Sequence, residues 1–373
     1  MKSLENPFIL TSFHGKKYFC DRDNELKTLF SHVENDRNVL LYGWRGLGKS
    51  TLIQRFFDKL ENKGQYETLY IDLLHCSSIE DVIKILASVI FDKYGRGKPG
   101  ISSSMNKLFF VLGASVRFDP YSDMPDLHLG PRQSGREEQS LHAMGDFLQE
   151  RKKKVIIAFD EFQEIDFFED KNVESFFRNW MQKFPDLRFV FCGNHPGKML
   201  RMYAEKTSPL YQNAQLIPLL PIQLETYRDF ILDHFESKGK SIAEEVIKMI
   251  YTWARGQTYL IQLVCNYLFA QCTQVREQDF HRVRQEILEQ YLPVFASFPK
   301  MLTKGQWNLL KAIAKEEPLF NPLSSEFLIK HQLGAASTVS TALKSLQKQE
   351  LIFEEEGAYF VQEVLLSRWM KNI

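Results

Sequence analysis

The chain has 373 residues, and its 47 lysines and arginines balance 47 aspartates and glutamates, so the formal net charge is zero. This length suits about two or three domains. The zero net charge excludes a global field that would draw the protein onto nucleic acid or an anionic membrane, so any such partner must meet a local patch.

Cysteine usage and hydropathy limit the cellular setting. The five cysteines lie far apart and form no matching CxxC pairs, which indicates a reducing, cytoplasmic compartment and no zinc site. No window approaches the roughly 18 apolar residues of a membrane span. The N-terminal MKSLENPFILTSF lacks the basic and apolar regions of a leader. We therefore expect a soluble protein with no membrane partner.

The segment NVLLYGWRGLGKSTLIQRFF, residues 38–57, predicts a strand, a glycine-rich loop and a helix in that order. The apolar run Val39–Tyr42 is typical of a strand buried on both faces, and the apolar residues after the loop recur at helical spacing. The loop matches GxxxxGK[ST], whose backbone N–H groups surround phosphate oxygens. The alternative is an ordinary glycine-rich turn with an exposed lysine. Contacts to nucleotide are predicted for Gly43, Trp44, Arg45, Gly46, Leu47, Gly48, Lys49, Ser50 and Thr51.

Two members of this loop have predicted chemical roles. Lys49 would reach the β- and γ-phosphates of ATP and act in catalysis, and the Ser50 hydroxyl would bind Mg²⁺. The segment KKKVIIAFDEFQEI, residues 152–165, predicts a second buried strand that ends at Asp160 and Glu161. Ligands bind at the carboxyl ends of parallel strands. We predict that Asp160 holds Mg²⁺ and that Glu161 polarises the attacking water, with an acidic turn as the alternative.

A third strand is predicted over LRFVFCGN, residues 187–194, and a fourth lies in TLYIDLLHC, residues 68–76. Asn194 follows the third strand, where a polar side chain can contact the γ-phosphate or its water, so we predict a catalytic role for it. Strands alternating with helices indicate an α/β fold with a parallel sheet covered on both faces. This core spans 1–220, and an insertion at 95–136 suggests a small hairpin around Pro120 and Pro125.

Residues 221–298 read as helices and predict a lid domain of the kind that closes over nucleotides. Within it, Arg255 is a candidate to reach the γ-phosphate, and a solvated arginine is the alternative. Residues 299–373 predict three helices followed by the hairpin LIFEEEGAYFV, which together form a winged helix. The third helix would bury Val339, Ala342, Leu343 and Leu346 and expose Lys344 and Lys348.

The charges of the winged helix leave its partner open. Residues 300–373 carry nine lysines and arginines against eight glutamates, and Glu354, Glu355 and Glu356 lie on the predicted wing. Nonspecific affinity for DNA depends on neutralising phosphates. The module is therefore predicted to bind double-stranded DNA weakly, or else to dock a protein partner, support self-assembly or act as an autoinhibitory element.

Several segments together resemble one family. They are FCDRDNEL at 19–26, GWRGLGKSTLI, IIAFDEFQEI, FVFCGNHPGKM, SPLYQNAQ at 208–215, GQTYLIQLVCNYL and the C-terminal winged helix. They resemble the AAA+/STAND-type P-loop ATPases of archaea and bacteria, which are related to origin-recognition initiators. The resemblance implies an ATPase core, a lid and a winged helix, with Phe19 and Arg22 against the adenine. Gln212 and Asn213 stand where many relatives carry an arginine that acts on a neighbour's nucleotide.

The expected function is an ATP-binding, slowly hydrolysing molecular switch that uses ATP or ADP and Mg²⁺, and whose nucleotide state controls assembly or partner binding. One alternative is a DNA-binding regulator with a structural nucleotide and little turnover. Another is a P-loop kinase of a small substrate, which the adjacent Asp160 and Glu161 disfavour because they supply a base for water.

Overall fold

The computed structural model describes residues 4–95, 103–118, 125–129, 135–170 and 172–372. The chain divides into two compact units, of which the first is Thr11–Ile222. The second is Gln223–Ile373 together with the N-terminal segment up to Leu10. The predicted boundary at 220 lies next to the division between the units, and the predicted boundary at 298 lies inside the second unit. Among the described residues, no helix has the length and apolar character needed to cross a membrane.

The first unit alternates strands and helices and also contains short 3-10 helices at Lys16–Tyr18 and Phe162–Phe167. Its elements in chain order are α1 (Asp23–Glu34), β1 (Val39–Tyr42), α2 (Lys49–Asn62), β2 (Tyr66–Asp72), α3 (Ile79–Tyr94), α4 (Ser103–Leu112), β3 (Ala114–Phe118), β4 (Pro125–Leu129), α5 (Glu137–Gln149), β5 (Lys154–Asp160), α6 (Val173–Lys183), β6 (Arg188–Gly193), α7 (Pro196–Ala204) and β7 (Gln215–Pro218).

Five parallel strands form the central sheet in the order β2-β5-β6-β1-β7. Successive residues of a strand alternate between its faces, and helices cover both. Leu40 belongs to one apolar core and Leu41 to the other. The predicted parallel sheet is therefore confirmed. The edge strand β7 was not predicted, because Pro218 interrupts its apolar residues and only Ile217 of its four residues is buried.

The insertion contains the expected hairpin, since β3 and β4 pair antiparallel. Pro125 begins β4, whereas Pro120 and the remaining gaps of 95–136 lie outside the described residues.

The second unit is mainly helical. Its elements are α8 (Leu224–Glu236), β8 (Ser241–Ile242), α9 (Glu244–Trp253), α10 (Thr258–Gln271), β9 (Gln274–Val275), α11 (Glu277–Gln290), α12 (Leu292–Phe295), α13 (Phe298–Met301), α14 (Lys304–Glu316), α15 (Ser325–Lys330), α16 (Ala336–Lys348), β10 (Ile352–Glu355), β11 (Ala358–Val361) and α17 (Val364–Met370).

The N-terminal segment belongs to this unit because it packs on α8 and α10. The Phe8 ring lies 5.5 Å from that of Phe235 and 5.7 Å from that of Phe269, measured between centroids. The Asn266 amide donates to the Phe8 carbonyl at 2.6 Å, and the Asn6 amide donates to the Asn266 carbonyl at 2.9 Å. Burying a large aromatic side chain supplies the stabilisation that holds such a short segment in place.

Helices α14 to α16 and the antiparallel hairpin β10–β11 form the predicted winged helix. The Ser324 hydroxyl accepts a hydrogen bond from the Phe327 N–H at 3.3 Å and thereby caps α15. Helix α16 buries Val339, Leu343 and Leu346, and Ala342 is half-buried. Lys344 and Lys348 are exposed as predicted.

Candidate nucleotide site

The phosphate loop connects β1 to α2 and depends on glycines at three positions. Gly46 and Gly48 have φ angles of 80° and 88°, a region that other residues rarely adopt. A Cβ atom on Gly43 would clash with the Leu219 carbonyl oxygen just beyond β7. The loop ends at the first turn of α2, whose N–H groups lack helical acceptors and therefore attract anions.

The other loop residues differ in exposure. Leu47 is buried and anchors the loop in the core, Arg45 is exposed, and Trp44 and Thr51 are half-buried. The positive charge of Arg45 acts on both the Lys49 amine and the Glu161 carboxyl. The N-terminal end of α2 therefore has both positive charge, from Arg45 and Lys49, and negative charge, from Glu161, close to it.

Lys49 is buried and folds back onto its own loop. Its Nζ donates to the Gly43 carbonyl at 2.7 Å and to the Trp44 carbonyl at 2.9 Å. Burial lowers the pKa of the Lys49 amine, while the nearby Glu161 and Asp160 carboxylates oppose that shift. The amine has to exchange these carbonyls for phosphate oxygens when it contacts a nucleotide.

Asp160 ends β5 and is 3% exposed. One oxygen, Oδ1, accepts the Glu161 N–H at 2.9 Å, and the other, Oδ2, accepts the Tyr70 hydroxyl. The Ser50 side chain also lies near enough to act on the Tyr70 hydroxyl, so one tyrosine lies beside both predicted Mg²⁺ ligands.

The donor set around Ser50 and Asp160 fits Mg²⁺. The metal is commonly held by one or two protein oxygens together with nucleotide phosphates and water. Within the described ranges, no group of three or more His, Cys, Asp or Glu side chains is arranged to hold a metal ion. A hydroxyl and a single carboxylate beside the phosphate loop suit an ion that enters with a nucleotide.

Glu161 and Asn194 are brought into direct contact. The Asn194 side-chain amide donates to Oε1 of Glu161, and the Gln163 amide donates to Oε2 at 2.6 Å. Glu161 adopts φ 53°, which turns its side chain out of the strand direction. Burial raises the pKa of the Glu161 carboxyl, although the Gln163 hydrogen bond opposes the shift.

Tyr70 and Gln163 also belong to the site, although neither was predicted from the sequence. Gln163 is buried, and its Oε1 accepts the Asn194 N–H at 3.0 Å while its amide binds Glu161. A Cβ atom on Gly193 would lie 2.8 Å from this Oε1, so the glycine makes room for the glutamine. Gln163 could have been predicted, because it follows Asp160 and Glu161 by only two or three residues. Tyr70 had no local signal, because its role depends on β2 pairing with β5.

Phe19 and Arg22, the predicted adenine contacts, lie in the segment before α1. The Arg55 guanidinium stacks on the Phe19 ring, with its central carbon 4.7 Å from the centroid. Arg22 is buried, donates to the Leu47 carbonyl at 3.2 Å and pairs with Glu25 at 2.7 Å. Arg22 thus ties this segment to the phosphate loop, and contact of either residue with adenine stays a prediction.

Arg255 has partners in the winged helix. Its guanidinium forms a bidentate ion pair with Glu317 at 2.6 and 2.7 Å and donates to the Val361 carbonyl at 2.8 Å. It is therefore not the solvated arginine of the alternative interpretation. A role at the γ-phosphate would require this ion pair to break, and nothing in the geometry supports that prediction.

Comparison with protein families identifies the core. A family model described as an ATPase domain predominantly from Archaea matches residues 19–264, well over half of the chain. The chain belongs to this family. A second model, described as a probable winged helix domain, matches residues 293–372 of this archaeal-type ATPase. A comparison with curated proteins gave no match.

Solved structures share the fold of this family member. A Walker-type ATPase of Pyrococcus abyssi superposes with a TM-score of 0.69 at 20% identity, covering 98% of this chain and 99% of its own. The Aeropyrum pernix ORC2 protein, in ADPNP–ADP complexes, gives 0.58 at 12% identity, with coverage of 98% and 95%. The ORC1 protein of the same organism, in complex with DNA, gives 0.55 at 13% identity, with coverage of 99% and 96%.

Proposed function

We propose that the protein is a molecular switch that binds ATP at the phosphate loop and hydrolyses it slowly with Mg²⁺. The observation that carries this proposal is the Glu161 carboxylate, which lies beside Asp160 and is held by the Asn194 and Gln163 amides. A half-buried base next to a phosphate loop and a candidate metal ligand is the arrangement that water attack on a γ-phosphate requires. Membership of an ATPase family supports the same conclusion.

The binding step uses groups that differ from those of the chemical step. Lys49 and the loop amides hold the β- and γ-phosphates, and Ser50 and Asp160 hold Mg²⁺. The metal, when bound, neutralises charge that develops on the phosphate oxygens. Glu161 accepts the proton of the attacking water, and burial assists because it brings the pKa of this carboxyl closer to neutral pH.

The hydrogen bonds to Glu161 explain why turnover is proposed to be slow. Both carboxylate oxygens accept amide protons from Asn194 and Gln163, and each such bond stabilises the charged form. A carboxylate stabilised in this way is a weaker base. Before the carboxylate can accept a proton from water, at least one of the two amides has to give up its hydrogen bond or share the oxygen with that water.

The winged helix is proposed to report the nucleotide state by binding duplex DNA. Exposed Lys344 and Lys348 on α16 supply two phosphate contacts. The Aeropyrum pernix ORC1 protein, which was solved in complex with DNA, shares this fold, and this similarity supports the proposal. The exposed Glu354, Glu355 and Glu356 at the wing favour the second candidate, a protein partner or a further copy of the chain.

The hydrogen bonds to Glu161 also favour an alternative in which the nucleotide is structural and little turnover occurs. None of the five cysteines, all of which lie in the described ranges, forms a disulfide, which supports a reducing, cytoplasmic location.

Calorimetric titration with ATP and ADP, together with phosphate release in the absence of any acceptor, tests the proposal. Saturable binding with slow release of phosphate is expected. Binding without release would favour a structural nucleotide, and release only after an acceptor is added would favour a kinase. The absence of any nucleotide binding would refute the proposal.

A further inference from the structure

A cleft of about 620 Å³ lies in the second unit between α9, α11 and the C-terminal end of α17. Sites for small molecules commonly have volumes of about 300–1,000 Å³. Met249 and Trp253 of α9 and Phe280 and Leu288 of α11 form its apolar lining. None of the residues that line the cleft belongs to the phosphate-loop site or is one of the lysines assigned to DNA, so neither proposal explains it.

Positive charge dominates the polar part of this lining. Lys248, Arg284, Arg368 and Lys371 line the cleft, and Glu245 is the acidic side chain among them. Within the described part of the chain, Lys248 and Arg284 have no carboxylate within ion-pair distance. The Arg284 guanidinium instead lies 5.8 Å from the Phe280 ring centroid. Two unpaired cations therefore border one apolar surface.

The remaining two cations share an overcrowded carboxylate. Glu317 is 3% exposed and pairs with Arg255 at 2.6 Å, Arg368 at 3.3 Å and Lys371 at 3.5 Å. Three positive charges thus face one negative charge. Burial, with Arg255 close by, lowers the pKa of Arg368 to about 10, and burial also lowers the pKa of Lys371. An anion in the cleft would offset this uncompensated charge.

Arg368 also has a structural task. Its Nε donates to the Trp253 carbonyl at 2.8 Å, and a terminal nitrogen donates to the Thr252 carbonyl at 3.2 Å. These bonds cap the C-terminal end of α9 and fix α17 against it. Lys248, Arg284 and Lys371 are therefore the cations that can turn toward a ligand.

We propose that this cleft binds a small phosphate monoester that carries a flat apolar group. The doubly charged phosphate suits several converging cations, and Arg284 can contact two of its oxygens at once. The apolar group would lie on Met249 and Trp253. A ligand held there contacts the lid helices α9 and α11 and the last helix of the winged helix together, and it would stabilise their packing.

Calorimetric titration of the full chain with 1-naphthyl phosphate tests the proposal. Lys49→Ala is included throughout so that the phosphate loop does not contribute. Replacing Lys248 and Arg284 by glutamine should weaken binding by at least about tenfold, because the variant loses two charge-assisted hydrogen bonds to the phosphate. The matched control replaces Lys344 and Lys348 by glutamine, which removes the same charge from α16, and should leave the dissociation constant within about twofold.

Two comparison ligands and a charge-preserving variant complete the test. 1-Naphthol, which lacks the phosphate, and inorganic phosphate, which lacks the apolar group, should each bind much more weakly than 1-naphthyl phosphate. Lys248→Arg with Arg284→Lys keeps both charges and should retain most of the affinity, which separates loss of charge from loss of fold. The proposal is wrong if 1-naphthol binds equally well, if inorganic phosphate binds equally well, if both glutamine pairs weaken binding alike, or if no saturable binding occurs.

Discussion

The phosphate loop and the winged helix differ in how exposed the charged side chains assigned to function are. Lys49 and Asp160 are 4% and 3% exposed, while Lys344 and Lys348 project into solvent from α16. Burying an ionisable group is costly unless it is partnered, so buried charges concentrate at functional sites. An exposed lysine has almost no such free-energy cost, and exposed lysines occur on most protein surfaces. The buried charges beside the phosphate loop therefore indicate what this site does. The exposed lysines of the winged helix leave two candidate partners, duplex DNA and a protein.

The largest effect is expected for Lys49→Ala, which removes the charge on the β- and γ-phosphates and should abolish detectable nucleotide binding in calorimetry. Lys59→Ala is the matched control, because Lys59 is exposed on the same helix α2. The variant also removes the hydrogen bonds from Lys49 to the Gly43 and Trp44 carbonyls. Thermal unfolding checks that the protein stays folded without them. An unchanged dissociation constant in a folded Lys49→Ala protein would remove the phosphate-loop assignment.

Tyr70→Phe should weaken Mg²⁺-dependent nucleotide binding by roughly tenfold, because loss of a group that orients a metal ligand typically costs about 10–100-fold. The hydroxyl holds Asp160 and also contacts Ser50. Titrations of ATP in Mg²⁺ and in EDTA separate this effect from a general loss of packing. An equal loss of ATP affinity in Mg²⁺ and in EDTA would show that Tyr70 acts only in packing. Tighter binding by the variant in Mg²⁺ would show that the hydroxyl competes with the metal for Asp160.

The winged-helix proposal predicts a smaller, salt-dependent effect. Lys344→Ala with Lys348→Ala should lower affinity for all duplex sequences alike and should flatten the salt dependence by roughly two phosphate contacts. Lys248→Gln with Arg284→Gln removes the same charge elsewhere and should keep the parental slope. Identical salt series for parent and the α16 variant would favour the protein-docking alternative.

The smallest expected effect is a shift in the pH profile of hydrolysis. Glu161 acts as a base only when ionised, and burial raises its pKa above the ordinary 4.5. The rate should therefore fall with decreasing pH along a limb whose midpoint lies above 4.5. A rate that stays constant down to that pH would show that another group activates water.

Local patterns predicted most of the site, because each strand that delivers a functional residue is an apolar run followed by polar residues. This holds for β1 before the loop, β5 before Asp160 and β6 before Asn194. Features that depend on long-range pairing were not predictable in the same way. Tyr70 reaches Asp160 only because β2 lies beside β5, and Arg255 meets Glu317 only when the lid packs on the winged helix. The edge strand β7 gave only a weak local signal, because Pro218 interrupts its apolar residues.

Glu161→Gln tests the central claim most directly, because it separates binding from chemistry. The substitution keeps the size of the side chain and removes its charge and basicity, while Lys49, Ser50, Asp160 and the loop amides remain to hold Mg-ATP. ATP affinity should stay close to the parental value, and phosphate release should fall by about 10²–10⁴, the typical contribution of a general base. Hydrolysis at the parental rate, or loss of ATP affinity, would show that Glu161 is a structural or metal-binding residue and would contradict the account.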